Sequence, residues 1–193
     1  MNRKFLSSLS LFLIGFLTFS SSVWCGEMQT ITLGGKPLTL MGEKLQTGKM
    51  LPTVLLPDLG LNMVDLQSFK GKVTLLSVVP SLDTPTCDKQ THILSEENKG
   101  LDKIANLITI SRDLPFAQKR FATKTKMQNI TFLSDYRDAQ FGKSTGLLIE
   151  ENRLLARAII ILDPEGTVRY LEIVSELSKL PDMEKAMEFA RSL

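Results

Sequence analysis

The segment VTLLSVVPSLDTPTCDKQ, residues 73–90, holds a strand, a stop and a nucleophile in succession. Residues 73–79 form a short, nearly continuous apolar run rich in β-branched side chains, which predicts a strand buried on both faces, as in a sheet covered by helices. Pro80 ends it. After a short loop, Asp83 or Thr84 can serve as a helix N-cap, and Pro85 suits the first helical position, where its missing N–H would be unsatisfied anyway. Cys87 then falls in the first helical turn, where unpaired backbone N–H groups and the positive end of the helix dipole stabilise a thiolate. A lone free cysteine otherwise behaves as a small buried hydrophobe. A buried structural thiol, however, needs no strand-to-helix junction, no proline at the helix start and no hydroxyl three residues before it. That hydroxyl, on Thr84, can cap the helix, contact the Cys87 sulfur or hand a hydrogen bond to a bound oxygen.

Outward from this segment the pattern alternates strands and helices. Upstream, residues 28–33 alternate apolar and polar, Gly34-Gly35 turns, and residues 37–41 return, predicting a small N-terminal β-hairpin. Residues 53–56 and 61–64 read as short strands and residues 66–69 as a helical turn. Downstream, the Cys87 helix is predicted to run to about residue 101 and end near Gly100. Residues 107–111 and 130–133 are further strands, and residues 116–126 and 138–143 helices. Residues 154–162 read as one long strand, Asp163-Pro164-Glu165-Gly166 as a type I turn, and residues 167–174 as the returning arm. Residues 182–192 close the chain as an amphipathic helix with Met183, Ala186, Met187 and Ala190 on one face. The predicted class is α/β, a sheet of mixed direction flanked by helices.

The first residues stand apart. Asn2-Arg3-Lys4 gives a short basic start, an apolar run follows from about residue 9 to 19, and residues 18–22 are small and polar. That is the pattern of a secretory signal peptide, residues 1–25 with the cleavage point open, since the run is short for a membrane span. Export to the periplasm follows. The remaining chain, residues 28–193, is one domain's worth. Cys25, followed by Gly26, suggests a lipoprotein cysteine and membrane attachment, although bulky Trp24 stands where that pattern wants a small residue. With two cysteines in all, a disulfide-stapled fold is excluded. Removing Arg3 and Lys4 brings the 23 basic residues level with the 21 acidic ones. A near-neutral domain gives no footprint for nucleic acid.

Other polar residues carry less. His92, the one histidine, sits five residues past Cys87 and so about 140° around an ideal helix, too far for a Cys-His dyad. No His/Cys/carboxylate cluster has metal-ligand spacing and no Gly-rich phosphate loop occurs, so no cofactor is expected. Arg157 places a permanent charge within an apolar run, LLARAIIIL, where an unpaired charge is costly. An ion pair at a sheet edge or subunit surface would explain it equally well. Arg112 and Asp113 suggest a local salt bridge, and Glu176 and Asp182 surface or turn positions.

The motif PSLDTPTC resembles the peroxidatic P-x-x-x-T-x-x-C motif of the peroxiredoxins, through Pro80, Thr84 and Cys87. SRDLPFAQKRF (residues 111–121) and LLARAIIILD (residues 154–163) resemble segments of the bacterial thiol peroxidases within that family. The resemblance implies a thioredoxin-like fold, which the order of elements also matches. In thioredoxin-type reductants the helix start carries C-x-x-C, and here Thr84 takes the first position. It further implies a Cys87 nucleophile oxidised to a sulfenic acid, Thr84 as donor or orienter, Arg157 as the cation, and Pro80 shielding the thiolate and shaping the entrance. Hydrogen peroxide and organic hydroperoxides are the implied substrates, and a homodimer the implied assembly. Two-cysteine thiol peroxidases carry a resolving cysteine directly after R-F, where this chain has Ala122. Recycling therefore falls to an external thiol, either a thioredoxin-like protein or a small thiol, to a second chain, or to Cys25 if export leaves that residue in place and unlipidated. The alternative is a non-enzymatic thiol sensor or interaction protein on the same scaffold.

Overall fold

The structure is a computed structural model and describes residues 29–193; the signal-peptide and Cys25 expectations lie outside the described residues. Ten strands and five helices follow in chain order. Strands β1 (Thr30–Leu33) and β2 (Lys36–Met41) form the expected N-terminal hairpin. Its turn has positive φ at both Gly34 (58°) and Gly35 (76°), the backbone of a tight two-residue hairpin, which side chains disfavour. Strands β3 (Leu55–Pro57) and β4 (Met63–Asp65) pair antiparallel ahead of a 310 turn at Leu66–Phe69.

The central sheet is built from β5 (Thr74–Val78), β6 (Asn106–Ser111), β7 (Thr131–Ser134), β9 (Ala158–Leu162) and β10 (Val168–Ile173), in the order β10-β9-β5-β6-β7. Strands β5, β6 and β7 run parallel, while β9 is antiparallel to both β5 and β10, so the sheet is mixed as expected. Strand β5 is buried on both faces because helices or hairpins cover each. Leu76, Val78, Ile108, Ile110 and Ile160 pack on one side with the N-terminal hairpin. Leu75, Leu107, Phe132, Ile159 and Ile161 pack on the other with the helices α1 (Pro85–Glu96), α2 (Leu101–Ile104), α3 (Pro115–Thr125) and α5 (Met183–Arg191). Leu75 and Leu76 are both fully buried, each contributing about 1.5–3 kcal/mol of transfer free energy.

Three of the boundaries that differ from the sequence reading have a clear local reason. The Cys87 helix stops at Glu96, because Lys99 (φ 49°) and Gly100 (φ 83°) take left-handed backbone and the Asn98 side chain closes the turn on the Gly100 N–H; α2 follows as a separate turn. The short helix α4 (Gln140–Thr145) starts later than expected, its Phe141 and Gly142 N–H groups held by the Asp135 carboxylate. Burial pushes the Asp135 carboxyl above its ordinary range, against those two hydrogen bonds. Residues 154–162 are not one strand. Residues 154–156 turn to hydrogen-bond with residues 147–149, part of which is the two-residue β8 (Leu148–Ile149) beside β2, and only Ala158–Leu162 joins the central sheet. Arg157 therefore sits just before β9, not inside a long strand.

Candidate active site

Strand β5 ends where the site begins. Val79 N–H still bonds to the Ile110 carbonyl at 3.0 Å, continuing the pairing with β6. Pro80, buried and without an N–H, then turns the chain out of the sheet. Thr84 occupies the N-cap place of α1 in extended backbone (φ −107°, ψ 143°), the conformation that the following Pro85 imposes. Its side chain makes no capping bond. Of the three uses open to that hydroxyl, the structure shows contact with the sulfur: Thr84 Oγ1 lies 2.9 Å from Cys87 Sγ and 3.1 Å from the Ser81 carbonyl. A hydroxyl has one proton to donate. With a thiolate it goes to the sulfur; with a thiol, Thr84 can accept the S–H and donate to Ser81 instead.

The register brings Arg157 to the same place. Antiparallel pairing sets Ala158 opposite Val78, so the residue before β9 lies beside the end of β5. Alternation turns its side chain to the face of Ile159, the face that α1 covers. Arg157 Nη2 stands 3.4 Å from Cys87 Sγ, Nη1 donates to Gln90 Oε1 at 2.8 Å, and Nε donates to the Leu177 carbonyl at 3.0 Å. Gln90, wholly buried, donates in turn to Ser77 Oγ on β5 at 2.8 Å. Arg157 is only 2% exposed, and no carboxylate among the described residues pairs with it. The sheet-edge ion pair is thereby removed as an explanation of the charge.

Two residues carry more than the sequence suggested. Gln90 is one helical turn from Cys87 and could have been noticed as its same-face neighbour. Asp113 does not form the expected salt bridge with Arg112. Its carboxylate accepts from Ser81 Oγ (2.7 Å), the Leu82 N–H (2.8 Å) and Ser111 Oγ (2.8 Å), pinning the loop that delivers Cys87. Arg112 instead donates to the Arg153 and Tyr136 carbonyls. The partners lie on different elements, and neighbouring charges in sequence were a poor guide to them.

The remaining candidates lie away from the sulfur's partners. His92 sits half-buried between Asp88 and Glu96 on α1, at 3.2 and 2.7 Å. Asp182 caps α5 through the Lys185 N–H. Glu176 clasps the N-terminal hairpin, accepting from the Thr32 hydroxyl and from the Gly34 and Gly35 N–H groups. Cys87 is the free cysteine of the described residues and is 0% exposed. Ala122 is buried in the same apolar cluster as Cys87. A thiol flanked by a hydroxyl and a guanidinium, with no second thiol described beside it, is equipped for nucleophilic displacement with charge stabilisation.

Comparison with known proteins gives the family. The Redoxin family profile matches residues 46–187. A thiol peroxidase of Halalkalibacterium halodurans is 47% identical over 86% of this chain and 99% of its own length, and one of Staphylococcus saprophyticus is 44% identical over 86% and 100%. A peroxiredoxin-like protein of Aquifex aeolicus superimposes with a TM-score of 0.80 at 34% identity, covering 86% of this chain and 99% of that one. On its fold, its cysteine-bearing helix start and this likeness, the chain belongs to the Redoxin family, in the thiol peroxidase branch of the peroxiredoxins.

Proposed function

We propose that this thiol peroxidase works through Cys87. The Cys87 thiolate attacks one oxygen of a hydroperoxide, the O–O bond breaks, and the departing oxygen takes a proton to leave as water or alcohol. Cys87 becomes the sulfenic acid. Thr84 orients the thiolate or donates to the peroxide, and the Arg157 guanidinium stabilises negative charge on sulfur and on the departing oxygen. Pro80 keeps water from the sulfur. The observation that carries this reading is Arg157 itself, a buried cation whose side-chain partners among the described residues are Gln90 and the Cys87 sulfur and no carboxylate. A buried cation without a counter-charge is costly, and a thiolate supplies one. Replacing Cys87 with serine tests it: peroxide consumption should vanish while the circular dichroism spectrum stays unchanged. Retained turnover would end the proposal and leave the sensor reading.

Recycling follows from the same residues. Ala122 stands where two-cysteine relatives are expected to carry a resolving thiol, so we infer that an external thiol reduces the sulfenic acid. A sulfur with no accessible surface meets a bulky thiol only if the first turn of α1 opens. The N-terminal pattern supports export to the periplasm, with membrane attachment through Cys25 if that residue is lipidated; intact mass of the purified native protein reads both. A homodimer is the assembly inferred from the family likeness, and sedimentation equilibrium measures it.

A further inference from the structure

Beside the Cys87 turn, α1 and α3 enclose an open groove of about 840 Å³. Thr84 and Pro85 line it, so it reaches the residue whose hydroxyl touches the Cys87 sulfur. Leu82 and Phe121 supply apolar lining. The two helices bring opposite charges to it: Asp83 and Asp88 from the α1 side, and Arg120 and Lys124 from α3. Asp88 also holds His92. Among the described residues no ion pair crosses the groove, and Arg120, Lys124 and Asp83 make none at all. A groove with an acidic and a basic side, in which Asp83, Arg120 and Lys124 have no ion-pair partner among the described residues, suits a ligand that carries both charges. A purely anionic ligand would meet Asp83 and Asp88, and an apolar one would leave Asp83, Arg120 and Lys124 unused.

We propose that this groove binds the reductant, and that the reductant is a small aminocarboxylate thiol, its carboxylates toward Arg120 and Lys124 and its ammonium toward Asp83. The proposal rests on Cys87 forming a sulfenic acid. When the first turn of α1 opens, the bound thiolate attacks the Cys87 sulfur, an S–S bond forms, and the S–O bond breaks with hydroxide leaving as water after protonation. A second thiol then attacks the mixed disulfide, releasing Cys87 and the oxidised thiol dimer. The two thiols supply the two electrons that the sulfenic acid accepts.

Rapid-quench mass spectrometry of the purified protein, oxidised with one equivalent of hydrogen peroxide, tests it. Glutathione, 2-mercaptoethanol and cysteamine are compared at matched thiolate concentration. Glutathione should saturate and react roughly tenfold faster than neutral 2-mercaptoethanol, the scale of one or two partly screened charge contacts. In the double variant Arg120→Glu, Lys124→Glu, both exposed positions, glutathione should lose that advantage and cationic cysteamine should gain one. Rates that are linear in every thiol and indifferent to the charge reversal would overturn the groove assignment alone. Failure to form the sulfenic acid in the first mixing would overturn the reading of Cys87 and this one with it.

Discussion

A guanidinium 2% exposed and three groups converging on it (a glutamine, a backbone carbonyl and a cysteine sulfur) set the chemistry at the scale of single residues. Arg157→Met keeps length and apolar stem but removes the charge and its donors. It should slow Cys87 oxidation by roughly two to three powers of ten, the loss expected when one preorganised transition-state donor disappears. Rapid-quench mass spectrometry measures that rate, and an unchanged value would make Arg157 a packing residue. Thr84→Val removes the hydroxyl 2.9 Å from the sulfur and should slow the same step by at least roughly tenfold, with recovery in Thr84→Ser. Full activity in Thr84→Val would reduce Thr84 to a pre-proline spacer.

Among elements, the loop between β5 and α1 decides how easily the buried sulfur is uncovered, and Asp113 from the end of β6 holds it. Asp113→Ala strips three acceptor bonds from Ser81, Leu82 and Ser111. It should cost about 1–3 kcal/mol of stability, measured by denaturant unfolding. With the loop looser, peroxide oxidation should slow while reduction of the sulfenic acid by thiol quickens; equal slowing of both would assign Asp113 to stability alone. Ala122 poses the opposite question on α3. Peroxide without reductant should drive Cys87 to the sulfinic acid. Ala122→Cys should divert it into an intrachain disulfide seen by non-reducing peptide mapping, provided α1 and α3 unwind locally. Legibility in the sequence also divides at this scale. The strand, Pro80, Thr84 and Cys87 were legible because they are adjacent and obey local rules. The bonds that Gln90 and Asp113 make were not, because Ser77, Arg157, Ser81 and Leu82, which they reach, are distant from them in sequence. Arg157 was visible as an anomaly, but its place before β9 depended on β8, whose two residues are too short to leave a pattern.

For the whole molecule, the N-terminal hairpin is fastened to the segment after β10 by backbone bonds of Thr32 with Ser175 and Leu177 and by the half-buried Glu176 carboxylate. Hydrogen bonds from the Thr32 hydroxyl, then from Ser178 and the Gly34 N–H, lower the Glu176 carboxyl from an ordinary 4.5 to about 2. Because the folded value lies below the unfolded one, the clasp contributes fully above about pH 4.5 and is lost as pH falls toward 2. The Gly34 and Gly35 amide NMR shifts should therefore titrate with a midpoint near 2, and Glu176→Gln should abolish the transition. A midpoint near 4.5 would mean that the clasp does not form. The mixed central sheet sets the start of β9 against the end of β5, and so brings Arg157 to Cys87. Exposing the purified protein and its Cys87→Ser variant to one equivalent of hydrogen peroxide, with mass read on intact protein and peptides, tests that convergence most directly. Expected is a gain of about 16 Da, one oxygen, on Cys87 alone, removed by added thiol and absent from the variant. Equal peroxide consumption by the variant, or an oxygen found on methionine with Cys87 unmodified, would contradict it.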